Sequence, residues 1–337
     1  MPRKARIDAS GALHHIITRG IERRPIFKDA SDYADFTRRL GLILKETSTS
    51  CYAWCLMPNH VHLLLRTGLH PISTVMRRLL TGHARYFNRR HDRNGHLFQN
   101  RFKSILCEEE PYLLVLVRYI HLNPVRAGIV KSLERLAFDG TTGHGTLMGR
   151  LKYDWQDTGY ILSRFGKKGE AARKAYAEFV KKGIHRGNLP ELTGGGLLRS
   201  FGGWLEVKEA IARGERIVGD ERILGSGEFV DRVLKQAQED FDWKTKAKWK
   251  GLDLETLIDS TTNQLGVKKE LIYGHSKNRL VARARAVVSF LAVRRLNYRG
   301  TDVARVLQVA PATVAKCLER GSTDPLTQEL AGQLLDA

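Results

Sequence analysis

The sequence has few cysteines and no long uninterrupted run of apolar residues. Its four cysteines are too few and too scattered for a disulfide framework, and they are Cys51, Cys55, Cys107 and Cys317. No stretch of about 18 apolar residues is present, which argues against a transmembrane helix. The basic start, MPRKARIDASG, is not followed by an apolar segment, so we recognise no secretory signal. These absences lead us to expect a cytoplasmic protein that does not bind a membrane.

Acidic residues are scarce relative to basic ones. The chain has 36 Asp and Glu against 56 Lys and Arg, which gives a formal net charge of +20. An apolar content of 42% is ordinary, and 337 residues suffice for about two or three domains. A charge excess of this size predicts a polyanionic partner, most often nucleic acid. A basic soluble protein without such a partner would have the same composition.

The first 130 residues alternate between strand-like and helix-like segments. In order these are LHHIITRG, SDYADFTRRLGLILKET, SCYAWCLMP, HVHLLLRTG, PISTVMRRLLTGHARYFNRR, HLFQNRFKSILCE and EPYLLVLVRYIHLN. Pro124 is expected to close the last helix. The order predicts an α+β domain with one antiparallel sheet and helices packed against it.

The remainder of the chain divides into two regions with different patterns. Residues 131–250 contain glycine-rich turns and one clear helix, KKGEAARKAYAEFVKKG, and we interpret them as a linker and helical connecting region. Residues 251–337 show helical periodicity almost throughout, which predicts a separate all-α domain. The predicted domains are therefore 1–130, 131–250 and 251–337.

Two histidines interrupt an apolar strand in the segment LMPNHVHLLL. Residues two apart in a strand share a side, so His60 and His62 project together while Val61 and Leu63 face a core. The pair can offer two nitrogen ligands to one cation, although two half-exposed sheet histidines would give the same pattern.

Cys51 and Cys55 precede the histidine pair and suggest a zinc site as an alternative. Four strand residues span about 13 Å, whereas adjacent ligands of a tetrahedral zinc lie only about 3 to 4 Å apart. We therefore expect the two cysteines to pack as small apolar side chains.

A second group of candidate residues lies in the segment RYIHLNPVRAG. Tyr119 and Asn123 are four residues apart and share one face of a helix. A phenol is a poor nucleophile because its pKa is about 10, but a nearby divalent cation that polarises a phosphodiester makes attack on phosphorus feasible. Tyr112 is the alternative nucleophile. Tyr119 as a core residue and Asn123 as a helix-end residue would explain the same pattern.

The segments MPNHVHLLL, GHLFQNRFKS and YIHLNPVRAG together resemble the single-tyrosine HUH transposase superfamily, and most closely the REP-associated tyrosine transposases. The resemblance covers about residues 10–130. It implies a ferredoxin-like antiparallel core that acts as a monomer and cuts and rejoins single-stranded or hairpin DNA without ATP. It also implies a 5′-phosphotyrosine intermediate on Tyr119, a Mg²⁺ or Mn²⁺ cofactor held by His60 and His62, and Asn123 as the third ligand.

Arginines and aromatic residues are interleaved between residues 77 and 103. Arginines bind phosphates and aromatic rings stack on unpaired bases, which is the combination that a single-strand binder needs. The side chains that we expect to contact DNA are Arg85, Arg89, Arg101 and Lys103. A solvated helix face with a few core aromatics would look similar.

The segment GTDVARVLQVAPATVAKCLERG has the pattern of a helix-turn-helix, in which Thr313 and Lys316 would face a major groove. An ordinary helical hairpin is the alternative. Residues 253–320 resemble the DNA-binding domain of the bacterial replication initiator DnaA, which implies duplex binding. The recognition stretch departs from that family and reads APATVAKCL. The basic residues that we expect to bind phosphates are Lys277, Arg279, Arg283 and Arg285.

The patterns together predict a metal-dependent DNA strand transferase with an appended duplex-binding domain. One rival is a sequence-specific duplex-binding regulator whose first domain is a non-cleaving scaffold. A second rival is a metal-dependent phosphohydrolase of small substrates, which has no use for the charge excess.

Overall fold

The computed structural model describes residues 7, 11–68, 70–166, 169–184, 192, 220–274, 276, 278–296 and 298–336. The chain divides into two compact units, Met1–Arg232 and Val233–Ala337. The predicted connecting region, 131–250, is thus shared between the two units. In the described part of the chain, no helix combines the length and the apolar character needed to cross a membrane.

The first unit begins with the strand and helix order that the sequence predicts. The elements are β1 (Leu13–Arg19), α1 (Ala30–Thr47), β2 (Ser50–Met57), β3 (His60–Arg66), α2 (Ile72–Arg90), β4 (Lys103–Cys107) and α3 (Glu109–Arg126). Asp29 caps the start of helix α1, and its side chain accepts hydrogen bonds from the backbone N–H groups of Ser31 and Asp32. The α+β class is confirmed.

The described strands form a mixed sheet in the order β2-β3-β1-β4-β5. Strand β1 is antiparallel to both β3 and β4, and β2 is antiparallel to β3. Strand β5 (Ile223–Leu224) is parallel to β4 and covers its outer edge, with Leu106 and Glu108 donating to carbonyls at Arg222 and Leu224. The four strands within residues 1–130 are antiparallel, as the sequence predicts. The prediction missed β5, which makes the sheet mixed, because a two-residue strand far along the chain has no periodic pattern to reveal it.

The two faces of the sheet bury different cores. Helices α1 and α2 pack on the face that carries Val61, Leu63 and Trp54, which confirms the predicted orientation of the first two. Helix α3 packs on the opposite face against Leu64 and Ile105. Since strand residues alternate between faces, His60 and His62 lie on the face that α3 covers.

Helix α3 continues past Pro124, which the sequence analysis places at its end. A proline in a helix leaves the carbonyl four residues earlier without its usual N–H partner. The Asn123 side chain donates to that carbonyl, at Ile120, over 3.3 Å and to the Tyr119 carbonyl over 3.0 Å. The side-chain amide thus replaces the missing backbone donor, and the helix ends at Arg126.

Short helices follow α3 in the first unit. They are α4 (Leu133–Asp139), α5 (His144–Leu147), α6 (Thr158–Leu162) and α7 (Glu170–Lys181). The hydroxyl of buried Tyr176 lies 2.8 Å from Nδ1 of His121 and 2.9 Å from Nδ1 of His144. This polar cluster ties α3 to α5 and α7.

The second unit contains helices in its described residues and no strand. They are the end of α8 (Gly227–Trp249), α9 (Leu254–Gln264), α10 (Arg279–Phe290), α11 (Gly300–Val306), α12 (Pro311–Thr323) and α13 (Pro325–Asp336). Helices α10 and α12 approach closely at Gly321, where an added Cβ would lie 2.3 Å from the Ala286 carbonyl oxygen. Gln308, at the turn before α12, has a left-handed φ of 53°.

Candidate functional site

One open cleft of ≈580 Å³ in the first unit collects the residues that the sequence analysis assigns to metal binding and nucleophilic attack. The lining side chains are Ile17, Thr18, Arg19, His60, His62, Gln99, Asn100, Arg101, Lys103, Tyr119 and Asn123. They come from β1, β3, the approach to β4, and α3. The cleft therefore exists only in the folded sheet–helix arrangement.

The Tyr119 ring lies edge-on to His62, with 5.8 Å between ring centroids. Its side chain is 5% exposed and belongs to the core under α3, yet it lines the cleft. The guanidinium carbon of Arg126 lies 5.6 Å from the Tyr119 ring centroid. Tyr119 is thus a core residue that also faces the cleft, and the two readings of this tyrosine are compatible. Tyr112 is half-buried and is not one of the lining residues.

Hydrogen bonds fix the ring of His60 in one tautomer. Nδ1 of His60 lies 2.7 Å from Oδ1 of Asn59, and the Asn59 amide nitrogen donates to the Arg23 carbonyl over 3.0 Å. Because that amide oxygen can only accept, Nδ1 carries the proton and Nε2 keeps its lone pair. Burial, followed by the charge of Arg19, lowers the pKa of His60 to about 4.

His62 is also held neutral. Burial, followed by the neighbouring His15, His60 and Arg19, lowers its pKa well below the usual value. A neutral imidazole nitrogen is the form that binds a metal ion. Asn123 uses its amide nitrogen on helix carbonyls, which leaves the amide oxygen as its metal-binding atom. Two imidazole nitrogens and one amide oxygen suit a divalent cation that also takes oxygen ligands from phosphate and water.

His15 has no role in the sequence-based predictions, yet it contacts His62 directly. Nε2 of His15 lies 3.0 Å from Nδ1 of His62, and Nδ1 of His15 lies 3.1 Å from the Leu192 carbonyl oxygen. The signal was the pair of histidines in LHHIITRG. It could not be interpreted without the strand register that sets Ile17 opposite His62.

The basic residues that were expected to contact DNA lie in two places. Arg101 and Lys103 are exposed and line the cleft, together with Arg19, which the sequence analysis missed. Arg85 and Arg89 are exposed on α2 and are not lining residues. The cleft thus has cations beside Tyr119 and the histidines.

In the second unit, the two residues that were expected to face a major groove are at least partly exposed, and the arginines differ in exposure and pairing. Lys316 is exposed and Thr313 is half-buried on α12, while Arg279 is exposed at the start of α10. Arg283 forms two 2.8 Å hydrogen bonds with Asp324, which lowers the pKa of that carboxyl. Lys277 lies outside the described residues.

Arg285 does not fit the expectation that it binds phosphate. It is 6% exposed and donates to the carbonyls of Ile272, over 2.8 Å, and Leu271, over 3.1 Å. The buried guanidinium is already bound to two backbone carbonyls, so this expectation is wrong.

Neither of the other potential metal groups is suited to a cation. Cys51 and Cys55 are free and buried, and burial raises the pKa of both thiols. Asp29, Asp32 and His91 place ligand atoms within 4.8 Å of one another. Arg90 already bridges both carboxylates, at 2.7 and 2.8 Å, and supplies the positive charge there.

The residues that line the cleft all lie in a part of the chain that matches a known protein family. No curated protein matches the chain. A solved structure described as "Structure of the REP associates tyrosine transposase bound to a REP hairpin" matches at 15% identity and a TM-score of 0.37, over 47% of this chain and 98% of that one. Residues 9–123, about a third of the chain, match the profile of the family described as "Transposase IS200 like". The segment that supplies all the lining residues of the cleft is therefore similar to the IS200-like transposases.

Proposed function

We propose that this chain is a DNA strand transferase that cuts and rejoins single-stranded DNA, with Tyr119 as the nucleophile. The observation that carries the proposal is the convergence in one cleft of a tyrosine, two neutral histidines, an asparagine and several cations. These groups lie in a segment similar to the IS200-like transposases. REP-associated tyrosine transposases, which the motifs resemble, lead us to propose hairpin-containing DNA as the substrate.

In this mechanism the Tyr119 oxygen attacks the phosphorus of a phosphodiester. The new bond joins the phenol oxygen to the 5′-phosphate and the bond to the 3′ oxygen breaks. The phenol gives its proton to solvent and the departing 3′ oxygen takes one from solvent, so that a 3′-hydroxyl is released. Attack by a 3′-hydroxyl on the phosphotyrosine reverses the process. One phosphoester replaces another at each step, so neither step needs ATP.

The other cleft residues bind and orient the reacting groups. His60, His62 and Asn123 would hold Mg²⁺ or Mn²⁺. When bound, the cation would neutralise charge on the scissile phosphate and polarise it toward attack. Arg19, Arg101 and Lys103 would hold flanking phosphates, and Arg85 and Arg89 would extend the contact along α2.

We propose that strands β1–β4 with α1 and α2 form a ferredoxin-like domain. The β-α-β-β-α-β order and the neighbour order β2-β3-β1-β4 support this proposal. We also propose that the protein acts as a cytoplasmic monomer.

The second unit is proposed to bind duplex DNA through a helix-turn-helix formed by α11 and α12. Support comes from the short turn between them and from the exposed Lys316 on α12. Thr313 would read the major groove, while Arg279 and Arg283 would contact phosphates. The likeness to the DnaA DNA-binding domain remains part of this proposal.

The test is formation of a covalent adduct. End-labelled hairpin DNA is incubated with the full chain and Mn²⁺, and label that moves with the protein on a denaturing gel is measured. Wild type and Tyr112→Phe should form the adduct, whereas Tyr119→Phe should not. Equal adduct from wild type and Tyr119→Phe would show that the nucleophile is wrong. Tight duplex binding with no nicking by wild type would favour the regulator.

A further inference from the structure

His15 stands between the candidate ligand His62 and a backbone carbonyl. It contacts His62 through Nε2 and the Leu192 carbonyl through Nδ1, at 3.0 and 3.1 Å. The two imidazole rings stack with 5.2 Å between centroids and 23° between planes. His15 is fully buried and is not one of the residues that line the cleft. The His15 ring also lies edge-on to Tyr119, with 6.1 Å between centroids, so it reaches the cleft through His62 and Tyr119, and only the contact with His62 is a hydrogen bond.

The chemistry of these contacts sets the direction of each hydrogen bond. A carbonyl oxygen only accepts, so Nδ1 of His15 carries a proton toward Leu192. Both rings are buried, where an extra charge is costly, and a neutral imidazole has a single N–H. Nε2 of His15 is then an acceptor, and Nδ1 of His62 is the donor. The lone pair of His62 is left on Nε2.

His60 has the same arrangement with different residues. Its Nδ1 proton is directed at Asn59, whose amide is oriented by the Arg23 carbonyl. Each candidate histidine ligand therefore has one intermediate side chain, and each intermediate is anchored on a main-chain oxygen. Two independent sets of contacts leave Nε2 of both histidines as the nitrogen with the lone pair.

The geometry points to His15 as a positioning residue that holds His62 in its metal-binding tautomer, with the Leu192 carbonyl fixing His15. Partners that orient a ligating histidine in this way commonly influence metal affinity. The inference rests on the proposed function, since it assumes that the cleft holds the cation. It also adds to the site a backbone group that lies beyond residues 9–123, the segment similar to transposases.

The position of the Leu192 carbonyl is set by packing. The Leu192 side chain is 2% exposed and belongs to the same core as Tyr119 and α3. A chain that ended near residue 130 would lack this carbonyl. The predicted domain boundary therefore cuts through the contacts that support the site.

The experiment measures the tautomer of His62 and the affinity for Mn²⁺ alone. Full-length protein with ¹⁵N-labelled histidine is studied by long-range ¹H–¹⁵N correlation, with the His62 signals assigned from His62→Gln. Free Mn²⁺ is followed by electron paramagnetic resonance. Wild type should show the proton on Nδ1 of His62. His15→Gln, whose amide oxygen can still accept, should keep both the tautomer and most of the affinity.

His15→Leu, which has no acceptor, should give mixed tautomers and roughly 10- to 100-fold weaker Mn²⁺ binding. The matched control is His14→Leu, which removes another fully buried imidazole from β1, one that contacts Ser104 Oγ at 3.1 Å. Its Mn²⁺ affinity should stay within about twofold of wild type, since that ring does not contact His62.

Two results would overturn the inference. One is a folded His15→Leu protein with the wild-type tautomer and affinity. The other is a wild-type spectrum with the His62 proton on Nε2, which decides the question even if His15→Leu fails to fold. Neither readout uses DNA. A protein with the expected tautomer and Mn²⁺ affinity but no covalent adduct would contradict the proposed function alone.

Discussion

Polar side chains are held in place in the cleft of the first unit, whereas Lys316 is exposed on the α12 surface of the second unit. In the cleft, His60, His62 and Asn123 are held in place by further hydrogen bonds that end on backbone atoms. On α12, Lys316 is exposed, as expected for a group that adapts to a partner. Fixed groups suit the proposed bond making at one phosphorus, whereas exposed side chains suit the proposed binding along a duplex.

The arginines show the opposite contrast between the two units. Arg101 is exposed in the cleft of the first unit, while Arg285 of the second unit is buried against two carbonyls. Arg283 is paired with Asp324 and would contact a phosphate only in competition with that carboxylate. Part of the +20 net charge therefore supports the fold, and a count of basic residues overstates the surface available to DNA.

The largest effect that separates the two regions is expected from His62→Ala. Loss of a direct ligand should lower adduct formation on the order of 10³-fold, beyond the roughly 10- to 100-fold typical of an indirect partner. Duplex binding, measured by fluorescence anisotropy, should not change. Lys316→Ala should weaken duplex binding a few-fold and leave Mn²⁺ affinity unchanged. If His62→Ala also abolished duplex binding, the assignment of strand transfer to the first unit and duplex binding to the second would be wrong.

The next effect distinguishes a structural arginine from an exposed one. Arg285→Met leaves the carbonyls of Ile272 and Leu271 without this donor and should lower the free energy of unfolding by about 1–3 kcal/mol. Arg279→Met, at an exposed position on the same helix, should change it by less than about 0.5 kcal/mol. Hydrogen exchange of α10 and α12 peptides measures the free energy of unfolding of both variants. An unchanged stability of Arg285→Met with a weaker salt dependence of DNA binding would restore a phosphate-binding role.

As pH falls, the first unit should lose stability before the second unit does. Burial lowers the pKa of His144 to about 4 and also lowers the pKa values of His62 and His121. Between about pH 6.5 and 4 the unfolded state binds protons that the folded state does not, so stability falls as pH falls. His144 alone contributes on the order of 2 kcal/mol of loss by pH 5.

The second unit has one histidine in its sequence, His275, which lies outside the described residues. The hydrogen bonds from Arg283 lower the pKa of Asp324 in the second unit. The stability that this carboxylate contributes is therefore lost only as pH falls below about 4. Peptides of the first unit should therefore lose exchange protection at pH 5 while α10 and α12 keep theirs. His144→Gln should flatten the pH dependence. Equal loss in both units would contradict this assignment.

The sequence predicted the parts of the site that depend on local periodicity. The period of a strand sets His60 and His62 on one side, and one helical turn sets Tyr119 and Asn123 on one face. His15 was missed because its contact depends on which strands pair and in what register. Strand β5 was missed because two residues show no period, and Pro124 was misjudged because a side chain supplies the missing donor.

The smallest expected effect concerns the basic residues of the first unit. Arg101→Ala should weaken binding of single-stranded DNA roughly tenfold or less and reduce the salt slope by about 0.7, the value for one phosphate contact on a single strand. Arg89→Ala should have a similar or smaller effect on affinity if α2 extends the binding surface. Anisotropy titrations at several salt concentrations measure both.

Arg101→Ala and Arg89→Ala should differ in the rate of adduct formation once DNA is bound. Arg101 lines the cleft with Tyr119, so its loss should also slow adduct formation at saturating DNA, because the scissile phosphate is less well placed. Arg89 lies on α2 and is not a lining residue, so Arg89→Ala should form adduct at the wild-type rate at saturation. If the two variants slow the saturated rate equally, the cleft residues have no special role in placing the phosphate, and the distinction between the cleft arginine and the α2 arginine fails.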